Sequence, residues 1–314
     1  MQTHRYAALP RKGSPLRLGR KIWKHRAFYL LLLPAVAYVI LFCYTPMYGL
    51  QIAFKDYKGA LGIAGSRWVG LKHFRSFFNS YIFLQLLRNT LALSLYSLAA
   101  GFPLPILLAL LLNETKSRFK RFSQTVLYAP HFISMVVMVG MLNTLFSPSM
   151  GVINTLREAL GMERYYYMAQ PSAFRHLYVW SGVWQNIGWD AVIYLAALSA
   201  VDPSLHEAAM IDGASRIQRI THINLPTILP TIVILFIMAV GRVASVGYEK
   251  VYLLQNDLNV DVSEVISTYV YKRGVLNSNY SFSTAVGLFN NVVNIALLLM
   301  ANFISRRLGE TSLF

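Results

Sequence analysis

Six long apolar runs, separated by shorter polar stretches, dominate the pattern of hydrophobic and polar positions along the chain. The runs lie near residues 28–54, 84–112, 126–147, 177–201, 226–248 and 282–304. A helix needs about 20 apolar residues to cross a hydrocarbon core about 30 Å thick, and each run approaches or reaches that length. The pattern predicts an all-α integral membrane protein with six transmembrane helices. The first run is too long for a signal peptide, so we interpret it as a retained anchor.

Composition supports this class. Hydrophobic residues make up 55% of the 314 residues and charged residues only 13%, about half of the roughly 25% typical of soluble domains. The single cysteine, Cys43, lies inside the first apolar run. Cysteine usage therefore does not identify a redox compartment.

The placement of the basic residues predicts an orientation. The formal net charge is +16, and eight of the 29 Lys and Arg residues precede Ala27 with no acidic residue among them. Four more lie in the link after the second run, at Lys116, Arg118, Lys120 and Arg121. Basic residues beside membrane segments mark the cytoplasmic side rather than a nucleic-acid site. We predict a basic cytoplasmic arm over residues 1–26, a membrane domain over 27–314, and both termini in the cytoplasm.

The link between the fourth and fifth runs has a helical pattern of its own. Ser204 and Glu207 fit an S-x-x-E capping box, and Asp202 adds negative charge where a helix dipole favours it. An apolar stripe follows at helical spacing, formed by Met210, Ala214, Ile217 and Ile220. We predict one amphipathic helix over about 204–222 on the cytoplasmic face. It either rests on lipid or docks into a protein groove, and its small residues favour the groove.

This link carries a family signature. The stretch EAAMIDGASRIQRITHINLP resembles the EAA motif of the permeases of binding-protein-dependent ABC importers. The matching positions are Glu207, Ala208, Ala209, Gly213, Ile223, Leu225 and Pro226. Further stretches, such as PMYGLQIAFKDY and YAPHFISMVVMVGML, resemble the oligo- and polysaccharide branch, to which the alginate importer's permease belongs.

The resemblance implies a function and a set of partners. In the family, the EAA segment is a coupling helix that enters a cleft on an ATPase subunit. Carried over, Glu207 contacts the ATPase, Ala208, Ala209 and Gly213 allow close packing, and Asp212 belongs to the same surface. The implied partners are a second permease subunit, two copies of an ABC ATPase, an extracytoplasmic solute-binding protein and a carbohydrate, in a bacterial inner membrane. The chain has no G-x-x-x-x-G-K-[ST] phosphate loop, so we expect no cofactor in it, and ATP and Mg in the ATPase subunits.

Polar residues inside the apolar runs are candidates for a substrate pathway. They are Trp184, Gln185, Asn186, Trp189, Asp190 and Tyr194 in the fourth run, and Asn290, Asn291 and Asn294 in the sixth. Amides exchange hydrogen bonds with sugar hydroxyls, and aromatic rings stack on the C–H faces of sugars. The alternative role for these amides is hydrogen bonding between helices. Asp190 either faces a cavity or pairs with a base such as Arg242.

Two other classes of membrane protein fit the sequence less well than a permease. An ion-driven secondary carrier needs intramembrane charges and repeat symmetry, and only Asp190 supports it. A membrane enzyme needs a catalytic set within its crossings, but none of the seven histidines lies deep within a predicted crossing. The sequence therefore favours a non-catalytic transport subunit.

Overall fold

The computed structural model describes residues 23–307. Most of the predicted basic arm, from residue 1 to residue 22, lies outside the described residues. The chain divides after Gln51 into two compact units. The first contains α1 (Arg26–Val39), which continues through a π-helical turn, Ile40–Tyr44, and a short turn, Thr45–Met47. The next helical turn, Tyr48–Phe54, crosses the division between the units.

The second unit is built almost entirely from helices. Those before the central helix are α2 (Lys72–Phe78), α3 (Phe83–Gly101), α4 (Pro103–Asn113), α5 (Ser117–Tyr128), α6 (Met135–Leu145) and α7 (Val152–Ala159). The remainder are α8 (Pro171–Leu198), α9 (Pro203–Ile211), α10 (Leu225–Val240), α11 (Tyr248–Leu254), α12 (Ile266–Tyr271) and α13 (Tyr280–Arg307). Turns of four residues occur at Gly62–Gly65, Arg216–Arg219 and Val260–Ser263.

Within the described residues, four helical segments are long and apolar enough to cross a membrane. They are Arg26–Phe54, Phe83–Asn113, Arg216–Val240 and Tyr280–Arg307. A fifth crossing results if α5 and α6, which meet at a bend of 97°, count as one broken span. The chain is therefore a multi-pass membrane protein. The remaining predicted crossing, the fourth, corresponds to α8, which has 28 residues but carries charged and amide side chains, so the count of six stays a prediction.

Two features differ from the sequence predictions. The supposed link after the second run is already helical from Ser117 onward, so most of its basic residues lie on α5. The second unit is also not purely helical, because Lys55–Asp56 and Arg67–Trp68 form a short antiparallel pair, β1 and β2. The pair is secured where Asp56 forms ion pairs of 2.7 and 3.1 Å with residues of α2, Lys72 and His73.

Helix α8 is the centre of the second unit. It packs against α3, α4, α5 and α10, and its buried side chains belong to two apolar clusters. It approaches α5 closely at Gly188, where a Cβ atom would lie 2.2 Å from the carbonyl oxygen of Leu127. Only glycine allows the two backbones this close. The contact fixes one face of α8 against the α5–α6 bend and leaves another face to line a cavity.

Candidate functional site

A cavity of about 620 Å³, lined mostly by apolar residues with several polar and charged side chains among them, lies between α3, α8, α10 and the turn that follows α10. Helix α8 contributes Asp190 and Tyr194, α3 contributes Ser97, and the turn contributes Arg242. An adjoining cavity of about 370 Å³ shares Ser97 and Asp190 and adds polar side chains from α8 and α11. The two cavities have five lining residues in common, and we refer to them together as the groove along α8.

The charged groups of this groove remain separate. Within residues 23–307, Asp190 has no ion-pair partner within 4.0 Å, although Arg242 lines the same cavity. Of the two interpretations of Asp190, the structure favours the one in which it faces a cavity. A carboxylate and a guanidinium that face the same space can both contact a polar ligand.

A second cation, which sequence reasoning missed, enters the groove from α11. Lys250 is 6% exposed, and its Nζ donates a hydrogen bond of 2.7 Å to the carbonyl oxygen of Tyr178. The ammonium also lies 4.7 Å from the centre of the Tyr178 ring. Burial lowers the pKa of Lys250 to about 8. Its one sequence signal is its position directly before the apolar stretch VYLL, residues 251–254.

The predicted pathway residues of α8 divide between two faces. The groove is lined by Gln185, Asn186, Trp189, Asp190 and Tyr194. Trp184 instead lines a separate apolar pocket between α6 and α8. Residues two apart on an α-helix point about 200° from each other, so Trp184 and Asn186 do not share a face.

The three asparagines of α13 do not join this groove. Asn294 donates to Ser245 Oγ at 2.6 Å, and its Oδ1 accepts from the backbone N–H of Ala244 at 3.0 Å. Asn290 lies 3.4 Å from the same hydroxyl. Asn290 and Asn291 line another cavity, between α12 and α13. The hydrogen bonds of Asn290 and Asn294 join α13 to the turn after α10, so they are structural contacts between segments of the chain, although not between two helices.

The α8–α10 link begins differently from its prediction. Asp202, not Ser204, is the N-cap of α9, and its side chain accepts from the backbone N–H of Ser204 at 2.9 Å. This hydrogen bond holds the pKa of Asp202 below its usual range. Pro203 occupies the first helical position, which it favours because its missing N–H would be unpaired there. The predicted Ser204–Glu207 capping box is therefore wrong.

The predicted single helix over 204–222 is also wrong, because the chain turns at Gly213. That residue has φ +78°, in the left-handed region that favours glycine. Its N–H donates to Met210 O at 3.1 Å, and the N–H of Ala214 donates to Ala209 O at 2.8 Å. This pair of bonds is a Schellman motif, a common helix ending. The structure thus gives Gly213 a conformational role.

A second helical segment starts directly after this turn. Ser215 caps it in a capping box with Gln218, and the chain runs through Arg216–Arg219 and a π-helical turn, Ile220–Asn224, into α10. An ion pair of 3.9 Å joins Arg219 to Glu114, at the end of α4. The α8–α10 link is therefore two short helical segments, of which the second is tied to α4.

The first segment presents its motif residues to the surface. Exposed positions include Glu207, Ala208, Asp212 and Gly213, whereas Ala209 is half-buried. Ile211 is 87% exposed. Further exposed apolar side chains are Leu205, Met210 and Ile217. At the start of α10, Leu225 and Pro226 are exposed and Ile223 is half-buried. The α8–α10 link therefore exposes several apolar side chains beside its motif residues.

Comparisons with known proteins place the chain among transport permeases. Residues 101–310 match the family model described as the binding-protein-dependent transport system inner membrane component. The polygalacturonan/rhamnogalacturonan transport system permease protein YteP of Bacillus subtilis is 44% identical over 98% of this chain and 96% of its own length. Protein LplB of the same organism is 44% identical over 91% of this chain and 90% of its own.

Two solved structures have the same fold. The first is the crystal structure of a bacterial alginate ABC transporter in complex with a periplasmic protein that carries an alginate pentasaccharide. One chain of that structure is 41% identical to this chain, with a TM-score of 0.86, and the comparison covers 95% of this chain and 100% of that one. The second is the crystal structure of a bacterial ABC transporter involved in the import of the acidic polysaccharide alginate. One of its chains is 42% identical, with a TM-score of 0.85, over 93% of this chain and 99% of that one. The family model covers two thirds of the chain and the relatives cover nearly all of it. This chain therefore belongs to the family of binding-protein-dependent transport system inner membrane components, the permeases of ABC importers.

Proposed function

We propose that this chain forms half of the pathway of an ATP-driven importer for an oligo- or polysaccharide of uronic acids, and that α9 and the turn after it couple it to an ATPase subunit. The observation that carries the substrate class is the groove along α8, which combines two cations, Arg242 and Lys250, and two carboxylates, Asp190 and Glu249, with amide, hydroxyl and aromatic side chains. The chain itself carries out no covalent chemistry.

The cations of the groove support an acidic sugar. Arg242 lines the main cavity and Lys250 lines the adjoining one. A guanidinium binds a carboxylate through paired hydrogen bonds, and the α8 amides and rings suit the hydroxyls and C–H faces. YteP is named for polygalacturonan, and two structural relatives import alginate. Both polymers carry a carboxylate on each uronic acid unit.

The surface of α9 supports coupling to a protein. An apolar side chain as exposed as Ile211 gains about 1.5–3 kcal/mol when it is fully buried. The Schellman turn at Gly213 gives the segment a fixed end, and the Arg219–Glu114 ion pair connects the link to α4. In this proposal the α8–α10 link is cytoplasmic, as are both termini. The ion-driven alternative rests on Asp190 alone, and family membership disfavours it.

The proposed assembly contains four kinds of protein. Two copies of an ABC ATPase bind ATP and Mg and dock against α9 of this chain and the matching segment of a second permease subunit. A solute-binding protein delivers the sugar from the other side of the membrane. This chain contributes the groove, and ATP-driven closure of the ATPases changes the side to which it opens.

The proposal is tested on the complex that co-purifies with the tagged chain in mild detergent. Mass spectrometry should identify a P-loop ATPase and a second permease subunit. After reconstitution with the system's solute-binding protein, ATPase activity should rise with an oligogalacturonide or an alginate pentasaccharide and not with maltopentaose. Arg242→Gln should reduce the stimulation by uronides. A chain recovered without an ATPase, or a complex stimulated by maltopentaose alone, would contradict the proposal.

A further inference from the structure

The bend between α5 and α6 is attached to one turn of α8. Gln185 donates a hydrogen bond of 2.8 Å to the carbonyl oxygen of Ile133, within the bend. Next to it, His131 lies 2.9 Å from Asn186, measured from Nδ1 to Oδ1. The imidazole of His131 also stacks on the Trp189 indole, with centroids 4.5 Å apart and planes 2° from parallel. His131 is therefore the residue of the bend that contacts two groove residues at once.

The hydrogen bonds fix how the imidazole is held. Asn186 uses its Nδ2 to donate to the carbonyl oxygen of Gly182 at 3.0 Å, so its Oδ1 is the atom that faces His131. An amide oxygen only accepts, so Nδ1 of His131 carries the proton and donates. One in-plane hydrogen bond and one stacked face leave the ring little freedom to rotate.

The same contact fixes the Trp189 indole. Trp189 is 47% exposed and lines the main cavity. The imidazole covers one face of the indole, and Phe132 meets it edge-on at 5.9 Å. An indole supported in this way presents a flat apolar surface to the cavity beside Asp190. Indole rings held flat are suited to the C–H face of a sugar.

We infer that His131 is a positioning residue that holds the Trp189 indole as the stacking platform for a sugar ring in the groove. The inference rests on the proposed function and deepens it, because it assigns the sugar-binding surface to one ring. Because His131 lies at the 97° bend, a change in the bend would move the platform.

The test is a double-mutant cycle on the co-purified complex. Binding of a fluorescently labelled oligogalacturonide is measured by anisotropy, and basal ATPase activity reports assembly. His131→Ala should raise the dissociation constant about three- to tenfold, the order expected for one aromatic contact. Trp189→Ala should raise it at least as much, and the double variant little further. His131→Phe keeps a flat ring against the indole, so it should retain most of the affinity that His131→Ala loses.

His176 provides the matched control. It also contacts an aromatic side chain, Tyr96, through a 2.8 Å hydrogen bond and an edge-on ring contact, but it lines the apolar pocket on the other side of α8. His176→Ala should leave the dissociation constant unchanged. If the effects of the His131 and Trp189 substitutions on the dissociation constant add up in the double variant, while basal ATPase activity stays normal, the positioning role of His131 is overturned and the proposed function is not affected. An original complex that binds no uronide would overturn the proposed pathway as well.

Discussion

Substitutions at Gly213 separate two explanations for the glycine of the EAA motif. One is bulk, because a small residue permits close docking. The other is backbone conformation, since Gly213 has φ +78° and ends α9 in a Schellman turn. A Cβ atom built there would meet nothing within 4 Å, so in this chain a side chain meets a conformational cost and no clash.

The conformational explanation gives both a magnitude and an order. A left-handed conformation costs an ordinary residue about 1–2 kcal/mol, which corresponds to a factor of about 5–30 in an equilibrium constant. Asparagine adopts this conformation more readily than alanine. We therefore expect ATPase-subunit affinity to fall in the order Gly, Asn, Ala, Val, with Gly213→Ala about 5- to 30-fold weaker. If bulk alone mattered, the order of affinities would differ: Gly213→Asn would bind the ATPase subunit more weakly than Gly213→Ala, because asparagine is larger than alanine.

Biolayer interferometry of the purified permease against its ATPase subunit measures these affinities. Gly161 provides the control, because it also has a positive φ, +74°, and open space around its Cβ position, but follows α7 in another link. Gly161→Ala should leave ATPase affinity unchanged. If Gly213→Asn binds more weakly than Gly213→Ala, the conformational argument is refuted.

Two further predictions concern stability, measured as thermal unfolding in detergent. Gly188→Ala should destabilise the protein by about 1–3 kcal/mol, the usual cost of overpacking, because the new Cβ would lie 2.2 Å from the backbone oxygen of Leu127. Gly140→Ala, inside α6 with open space around it, should be neutral or stabilising, and equal losses in both variants would contradict the packing argument. Lys250 has its pKa lowered from 10.5 to about 8 by burial, so between these values the unfolded chain holds a proton that the folded chain has released. The free energy of unfolding of the original protein, relative to that of Lys250→Met, should therefore rise with pH between pH 8 and 10.5. At 1.36 kcal/mol per pKa unit the rise is roughly 3 kcal/mol. A difference between the two proteins that does not change with pH would contradict the burial of Lys250 as the cause.

The sequence predicts the membrane class well because the bilayer imposes a length on each apolar run. It predicts bends and helix ends less well, although their signals are present in the chain. Pro130 and Ser134 stand where the third run bends, and Ser134 caps α6. Gly213 followed by Ser215 and Gln218 marks the end of one helix and the start of the next. The apolar residues keep a helical spacing on both sides of this break, so their periodicity alone predicts one continuous helix.

The groove could be predicted only in part. Five of the six polar or aromatic candidates of α8 line it, since residues at helical spacing share a face whatever the rest of the fold. The contributions of His131 and Lys250 come from contacts across 55 and 72 residues of sequence. No local pattern encodes such contacts. The asparagines of α13 looked equivalent in sequence to Asn186 of α8, but they face other partners.

Site-specific photo-cross-linking from α9 tests the central claim most directly. Replacing Cys43, the single cysteine, by serine allows a benzophenone maleimide to be placed at Ile211→Cys, 87% exposed on α9, or at Met150→Cys, 85% exposed before α7. Irradiation of membranes that contain the whole transporter should join Ile211→Cys to a P-loop ATPase and leave Met150→Cys without that product. Cross-links from Ile211→Cys to lipid alone, or an ATPase adduct from Met150→Cys instead, would contradict coupling through α9.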